Sequence, residues 1–131
     1  MRTIILDTNF LVDCLAWKVD FFSEIARILP FQHRLAVIDK TLDELETIII
    51  KGKQDAKIGA RIARQLILKK RIGIIRTSRQ GCVDALILKT ATKDSIVATQ
   101  DQNLKRRLRA KGVPIVVIRQ RKYLELIPKA F

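Results

Sequence analysis

The sequence predicts an α/β fold, specifically a three-layer α/β/α sandwich around a parallel sheet of about five strands. The first observation is that apolar runs of strand length alternate with segments whose apolar residues recur at helical spacing. Strands that alternate with helices typically build a parallel sheet with helices on both faces. The second observation is length, because 131 residues are the size of one ordinary domain. With no linker or repeat in the chain, residues 1–131 are expected to form a single domain.

Each predicted strand is a short apolar run that is closed by a polar or turn-forming residue. The five runs span residues 3–6, 34–38, 72–75, 96–98 and 115–118. Each predicted helix carries an apolar stripe at three- or four-residue spacing. The helices begin at Phe10 and then cover 21–29, 40–50, 54–70, 82–92 and the segment after Asp101. Asp20 and Asp39 are expected to cap two of these helices at their N-termini, and Pro30 ends the first of the two.

The charge balance predicts a polyanionic partner. The chain has 26 Lys and Arg against 13 Asp and Glu, a net charge of +13, and such an excess favours nucleic acid or an anionic membrane. Nucleic acid is preferred, because the few aromatic residues, none in a basic helix, do not suit a membrane-surface helix. No apolar run approaches the roughly 20 residues that a membrane span requires. The protein is therefore expected to be cytoplasmic and to bind nucleic acid without a membrane partner.

Histidine and cysteine chemistry is disfavoured. The single histidine, His33, falls in an expected surface loop, and Cys14 and Cys82 are far apart and not in a ligand spacing. Both cysteines are expected to be buried, reduced thiols. The sequence therefore lacks the residues that a catalytic triad or a zinc site requires.

Acidic residues stand where predicted strands pass into helices. Asp7 and Asp101 directly follow strands or their closing turns, and Asp84 falls in the first turn of a helix. Because the carboxyl ends of parallel strands share one edge of the sheet, these acids are expected to converge there. One acid of the 43–46 cluster could join them, but helical geometry does not decide among Asp43, Glu44 and Glu46. Oxygen ligands of this kind suit Mg²⁺ or Mn²⁺.

Each junction acid also has an ordinary structural explanation. Asp101 could be an N-terminal helix cap, and Asp84 could interact favourably with a helix dipole. Two basic groups are candidates for nucleic-acid binding, although a solvated face remains the alternative for both. They comprise a helical stripe and the run after Asp101: Lys53, Lys57, Arg61 and Arg64, and Lys105, Arg106 and Arg109. For the basic tail 119–123 a solvated terminus is preferred over contact with RNA.

Four motifs, in the same order along the chain, resemble those of PIN-domain nucleases. They are Asp7-Thr8-Asn9, Asp43-Glu44-Leu45-Glu46, Val83-Asp84-Ala85-Leu86 and Thr99-Gln100-Asp101. The likeness covers the whole chain and is most specific over 97–118, where the chain is similar to the subfamily that processes ribosomal RNA in the small-subunit processome.

This resemblance implies a metal-dependent endoribonuclease that acts on ribosomal RNA precursors with Mg²⁺ or Mn²⁺. It implies that the catalytic, metal-binding acids are Asp7, Glu44, Asp84 and Asp101, so that Glu44 is selected from its cluster. It further implies that Asn9 and Thr99 support the acids by hydrogen bonding. The implied strand order is 3-2-1-4-5.

The chain departs from the family pattern at two positions. Val83 and Asn103 stand where the family often has additional acids, so a second metal would have fewer ligands. Two alternatives therefore stay open: a VapC-like toxin ribonuclease, and an RNA-binding scaffold whose acidic site no longer cleaves. The oligomeric state is also open, and a homodimer is compatible with the sequence.

Overall fold

A computed structural model describes residues 1–128 and shows a sheet of six strands flanked by helices. The strands are β1 (Arg2–Leu6), β2 (His33–Ile38), β3 (Gly73–Ile75), β4 (Ile96–Ala98), β5 (Ile115–Arg119) and β6 (Tyr123–Ile127). Their order is β3-β2-β1-β4-β5-β6, and the first five are parallel. The predicted α/β class and the 3-2-1-4-5 order are thus confirmed. Residues 129–131 of the expected domain lie outside the described residues.

The sixth strand corrects the prediction that residues 119–123 form a terminus: they are exposed, as expected, but they form the turn of a β-hairpin. β6 pairs antiparallel with β5, with Arg119 opposite Tyr123 and Ile115 opposite Ile127. Leu124 and Leu126 are buried, whereas the residues between and beside them are partly or fully exposed. This period of two is the ordinary pattern of a half-buried strand. The density of cations just before it obscured the alternation at the sequence level.

Six helices form the two outer layers. They are α1 (Thr8–Ala16), α2 (Phe21–Ile28), α3 (Thr41–Lys51), α4 (Gln54–Leu68), α5 (Val83–Thr90) and α6 (Gln102–Ala110). Alternate strand residues enter two separate cores: Ile4 packs with α1–α4, whereas its neighbour Ile5 packs with α5 and α6. The side chains of a strand alternate between the two faces of a sheet, so the two cores identify the two layers.

Three local predictions are wrong. Asp39 does not cap α3; Lys40 occupies the position before that helix, and the Asp39 carboxylate instead accepts hydrogen bonds from Thr77. Cys82 is exposed, although Cys14 is buried as expected. His33 begins β2 instead of lying in a loop. Within residues 1–128, no helix is long and apolar enough to cross a membrane.

Candidate active site

Strand register places Asp7 and Thr99 beside each other at the carboxyl edge of the sheet. β1 and β4 are parallel neighbours in which Leu6 lies opposite Ala98, so the next residues of both strands leave the sheet together. The Asp7 amide continues the ladder by donating to the Ala98 carbonyl at 2.9 Å. The Asp7 side chain is only 5% exposed, and Thr99 is fully buried.

Burial makes Asp7 an unusual carboxylate. Removal from water raises its pKa to about 6, and repulsion from Asp84 and Glu44 acts in the same direction. A hydrogen bond from the Thr99 hydroxyl to Asp7 Oδ2, 2.8 Å long, opposes the rise, as does the Thr8 amide. A buried carboxylate with a raised pKa is stabilised by binding either a proton or a nearby cation.

Asp84 and Asp101 belong to the same electrostatic group. The Asp84 pKa is raised by partial burial and by the charge of Asp101, while Arg107 acts against both. Asp101 caps α6, because its Oδ1 accepts from the Leu104 amide at 2.8 Å. The Asp101 amide donates to the Thr99 hydroxyl at 3.1 Å. Thr99 therefore links the backbone at Asp101 to the carboxylate of Asp7.

The α3 cluster separates into three acids with different surroundings. Asp43 forms an ion pair with Arg79, and Glu46 forms one with Arg64 at 2.9 Å. Glu44 forms no ion pair within residues 1–128, and its charge contributes to the raised pKa of Asp7. Of the three, Glu44 therefore has the surroundings expected of an acid that acts together with Asp7.

A buried hydroxyl pair positions α3 against α1. Thr8 Oγ1 donates to Thr41 Oγ1 at 3.1 Å, and both side chains are almost entirely buried. The pair joins the first residues of two helices that leave neighbouring strands, and it sets where Glu44 stands relative to Asp7. Sequence reasoning missed this contact. The only local signal was that a threonine stands one or two residues after an acid at the end of a strand: Thr8 after Asp7, and Thr41 after Asp39.

The β3–α5 loop, residues 76–82, is tied to the β2–α3 junction. Asp39 accepts from the Thr77 amide at 2.9 Å and from its hydroxyl at 2.7 Å, and Lys40 Nζ donates to the Gly81 carbonyl. These contacts hold the loop that leads into α5 and therefore set the position of Asp84. The sequence offered no signal for them, because the partners are about 40 residues apart in the chain.

A cleft of about 460 Å³ opens beside Glu44. Its walls come from the starts of α1 and α3 and from the residue before α3: Thr8, Asn9, Lys40, Asp43, Glu44, Thr47 and Ile48. Asn9 is exposed on this wall, and its side chain makes no hydrogen bond to an acid within residues 1–128. The Thr99 hydroxyl does donate a hydrogen bond to Asp7. Of the two residues expected to support the acids by hydrogen bonding, Thr99 therefore does so in the structure and Asn9 does not.

The four acids suit a hard divalent cation in donor type and charge. All their ligand atoms are carboxylate oxygens, which Mg²⁺ and Mn²⁺ prefer. Burial, and then the charges of neighbouring acids, raise the pKa of Asp7 and Asp84. Among the described residues, however, no three His, Cys, Asp or Glu side chains are arranged so that they could hold a metal ion together. The described residues therefore form no complete metal site by themselves.

The predicted basic residues fall on two separate helices. Lys57, Arg61 and Arg64 lie on α4, with Lys53 at its N-cap, and Arg64 is already paired with Glu46. Lys105, Arg106 and Arg109 lie on α6, directly after Asp101. Only the α6 group is continuous in sequence with a site acid.

Comparison with known proteins identifies relatives that match most of the chain. A family model described as a PIN like domain matches residues 4–121. Ribonuclease VapC4 of Methanocaldococcus jannaschii is 31% identical, over 96% of this chain and 97% of its own length. The rRNA-processing protein fcf1 of Schizosaccharomyces pombe is 29% identical over 91% of this chain, which spans 60% of that longer protein. The solved structure of the PIN domain endonuclease Utp24 is 27% identical, with a TM-score of 0.78 over 95% of this chain and 90% of its own.

Proposed function

Because the chain belongs to the PIN-like domain family, a family of nucleases, we propose that it is a metal-dependent endoribonuclease that acts in ribosomal RNA processing. What supports the proposal is the charge coupling among acids at one edge of the sheet, where the charges of Asp84 and Glu44 act on the buried Asp7 and the charge of Asp101 acts on Asp84. In a protein with a net charge of +13, acids placed so that burial and neighbouring negative charge raise the pKa of Asp7 and Asp84 call for a functional reason.

The acids have different tasks in this proposal. Asp7 is the central ligand, because it is buried and its orientation is set by the Thr99 hydroxyl. Asp101 is held by its cap contact with α6, and Asp84 is held through the tied β3–α5 loop. Glu44 faces Asp7 from α3 and completes the set, with Asn9 beside it on the cleft wall.

The proposed cofactor is Mg²⁺ or Mn²⁺. When bound, the ion supplies the positive charge that activates a water and stabilises the attacking and leaving oxygens of an in-line phosphodiester displacement. The four acids would hold it together with RNA phosphate oxygens, because no three side chains of residues 1–128 suffice. Val83 and Asn103, which stand where the family often has acids, have the same consequence. Binding of metal and RNA should therefore be strongly coupled.

The RNA class is proposed from the relatives. Resemblance to the rRNA-processing protein fcf1 supports processing of ribosomal RNA precursors. Resemblance to the endonuclease Utp24 supports cleavage within the RNA chain. One observation favours a second candidate, a toxin-type ribonuclease: VapC4 matches nearly its whole length at 31% identity. Under either function the protein is proposed to be a single domain over residues 1–131 that works on RNA in the cytoplasm.

The test is cleavage of defined RNAs by the purified protein. Precursor ribosomal RNA fragments and tRNAs are incubated in Mn²⁺, Mg²⁺ or EDTA, and the product ends are mapped. We expect cuts at discrete positions of the precursor with either metal and none in EDTA. Cuts confined to tRNA would favour the toxin-type function.

Variants then assign the cleavage to the site. Asp7→Asn and Asp101→Asn should each abolish cleavage in Mn²⁺ or Mg²⁺, while RNA affinity measured in EDTA stays within a few-fold of the wild type, because acids hold the metal and cations hold the phosphates. Asp55→Asn is the matched control, since it removes an exposed acid of α4 outside the site. Full cleavage by Asp7→Asn would exclude this active site, and intact binding without cleavage in any metal would point to an RNA-binding scaffold.

A further inference from the structure

A concave, basic groove lies between α6 and the β5–β6 hairpin. Its volume is about 420 Å³. We call it the α6 groove, and its walls come from one face of α6 and from the last two strands: Gln102, Lys105, Arg106, Arg109, Ile115, Arg119 and Ile127. Four of these residues are cations and none is an acid. Two isoleucines provide an apolar floor between the charges.

The α6 groove begins at the acidic site. Asp101 is the N-cap of α6, so Gln102 at the mouth of the groove is its direct neighbour. Arg119 ends β5 at the same carboxyl edge of the sheet from which Asp7 and Asp101 project. From Gln102 to Arg109 the helix wall is about 10 Å long, at 1.5 Å per residue. A strand that passes the acids can therefore continue directly into the groove.

Of the four cations in the groove, only Arg119 forms an ion pair with a carboxylate of residues 1–128. Partial burial lowers the pKa of Lys105, as do the charges of Arg119 and Arg109, with Asp101 acting in the opposite direction. Arg119 pairs with Glu125 at 3.2 Å, and Arg106 donates to Asn103 at 2.6 Å. No carboxylate within residues 1–128 forms an ion pair with Lys105 or Arg109. Like charges held together in this way favour an external anion.

The hairpin wall of the groove is held in place before any ligand binds. The Gln100 side-chain oxygen accepts from the Ile118 amide at 2.8 Å, which ties the end of β5 to the turn before Asp101. At the tip, the Arg121 guanidinium lies 4.7 Å from the centre of the Trp17 ring. Gln120 and Arg121 both have φ of +53°, a left-handed conformation that residues other than glycine rarely adopt. Such outliers persist where the surroundings enforce them, often at ligand sites.

We propose that the α6 groove binds the backbone phosphates of single-stranded RNA as the strand leaves the acidic site, with Arg119 and the helix cations on opposite walls. The inference rests on the proposed ribonuclease function. A nucleic-acid strand fits better than an acidic peptide for two reasons. The groove is continuous with the acids that are proposed to cut RNA, and its apolar floor suits a ribose or base between two phosphates.

The experiment measures RNA binding without cleavage. The affinity of a fluorescent single-stranded RNA is measured by anisotropy in EDTA over a range of salt concentrations. The groove variant is Lys105→Gln with Arg109→Gln. The control is Lys69→Gln with Lys89→Gln, which changes the net charge equally at exposed positions after α4 and in the last turn of α5. Urea midpoints of both variants verify that the fold is intact.

Each phosphate contact to a single strand contributes roughly 0.7 to the slope of log affinity against log salt. The groove pair should therefore flatten the slope by about 1.4, while the control pair should leave it near the wild-type value. RNAs with one neutral methylphosphonate linkage at a time locate the contact. The wild type should lose affinity at one or two linkages on one side of the cut, and the groove variant should not respond at those linkages.

Equal slopes for the two pairs, or identical linkage profiles for wild type and groove variant, would overturn the proposal. Equal slopes are also the result expected if the groove holds an acidic protein segment instead. The nuclease function is judged separately, by cleavage of precursor RNA by the wild type in Mn²⁺. Failure of the wild type to cleave would refute the nuclease function. Equal salt slopes for the two variants would refute RNA binding by the α6 groove.

Discussion

Removing the charge of Asp7 should stabilise the metal-free protein. Its carboxylate is almost fully buried and faces the negative charges of Asp84 and Glu44, so the ionised form is disfavoured by the fold. Asn has nearly the same shape, carries no charge and can still accept the hydrogen bond from Thr99. Asp7→Asn should therefore be more stable than the wild type at neutral pH, although it is expected to be inactive.

The size of the effect follows from the pKa. Asp7 shifts from 3.8 to about 6 on folding, and each pKa unit corresponds to about 1.4 kcal/mol. Ionised Asp7 thus costs the fold up to about 3 kcal/mol. Between the two pKa values the folded protein binds more protons than the unfolded chain, so wild-type stability falls as pH rises through this range. The advantage of the variant should be near zero at pH 4 and reach its full value at pH 7.

The assay is urea unfolding in EDTA from pH 4 to pH 8, followed by the fluorescence of the single tryptophan, Trp17. Asp39→Asn is the matched control, because Asp39 is also a buried acid at the end of a central strand. Its pKa is lowered, chiefly by the hydrogen bond from the Thr77 amide. A lowered pKa stabilises the fold above the unfolded value and loses that effect as pH falls. Asp39→Asn should therefore destabilise the protein at pH 7, opposite to Asp7→Asn.

The reasoning fails if Asp7→Asn is destabilised at pH 7, or if its difference from the wild type does not change with pH. Either result would mean that the fold does not disfavour the ionised form of Asp7. An equal response of Asp7→Asn and Asp39→Asn would show that loss of shape complementarity dominates over charge.

Two further predictions concern the neighbours of Asp7. Thr99→Val removes the hydroxyl that donates to Asp7 and accepts from the Asp101 amide, so at pH 7 it should cost about 1–3 kcal/mol in urea unfolding and shift the pH profile of cleavage upward; Thr99→Ser should keep the wild-type profile. Mn²⁺ or Mg²⁺ should raise the melting temperature of the wild type, by a stabilisation of about 2.7 kcal/mol at 100 times the dissociation constant. Asp101→Asn should lose most of that gain while it keeps the cap on Leu104, whereas Asp101→Ala should lose about 0.5–2 kcal/mol with or without metal. An Asn variant that keeps the full metal response would remove Asp101 from the ligand set.

The sequence by itself determined the layers and most of the sheet. Five strands and six helices follow from local apolar periodicity, and the parallel arrangement follows from their alternation. The junction acids Asp7 and Asp101 could be placed at one edge for the same reason, because strand direction is set by topology. Only β6 was missed, although Leu124 and Leu126 carry its period of two; the neighbouring cations dominated the local pattern.

The tertiary structure decided which side chains meet. Asp39 and Asp101 both precede helices in the sequence, yet only Asp101 is a cap, because Thr77 from a distant loop provides Asp39 with better donors. On α3, helical spacing did not decide among three acids. In the structure, arginines from α4 and the β3–α5 loop pair with Glu46 and Asp43, whereas the charge of Glu44 acts on Asp7. Partners such as these are brought together by the packing of elements far apart in the chain, and local sequence patterns carry no information about that packing.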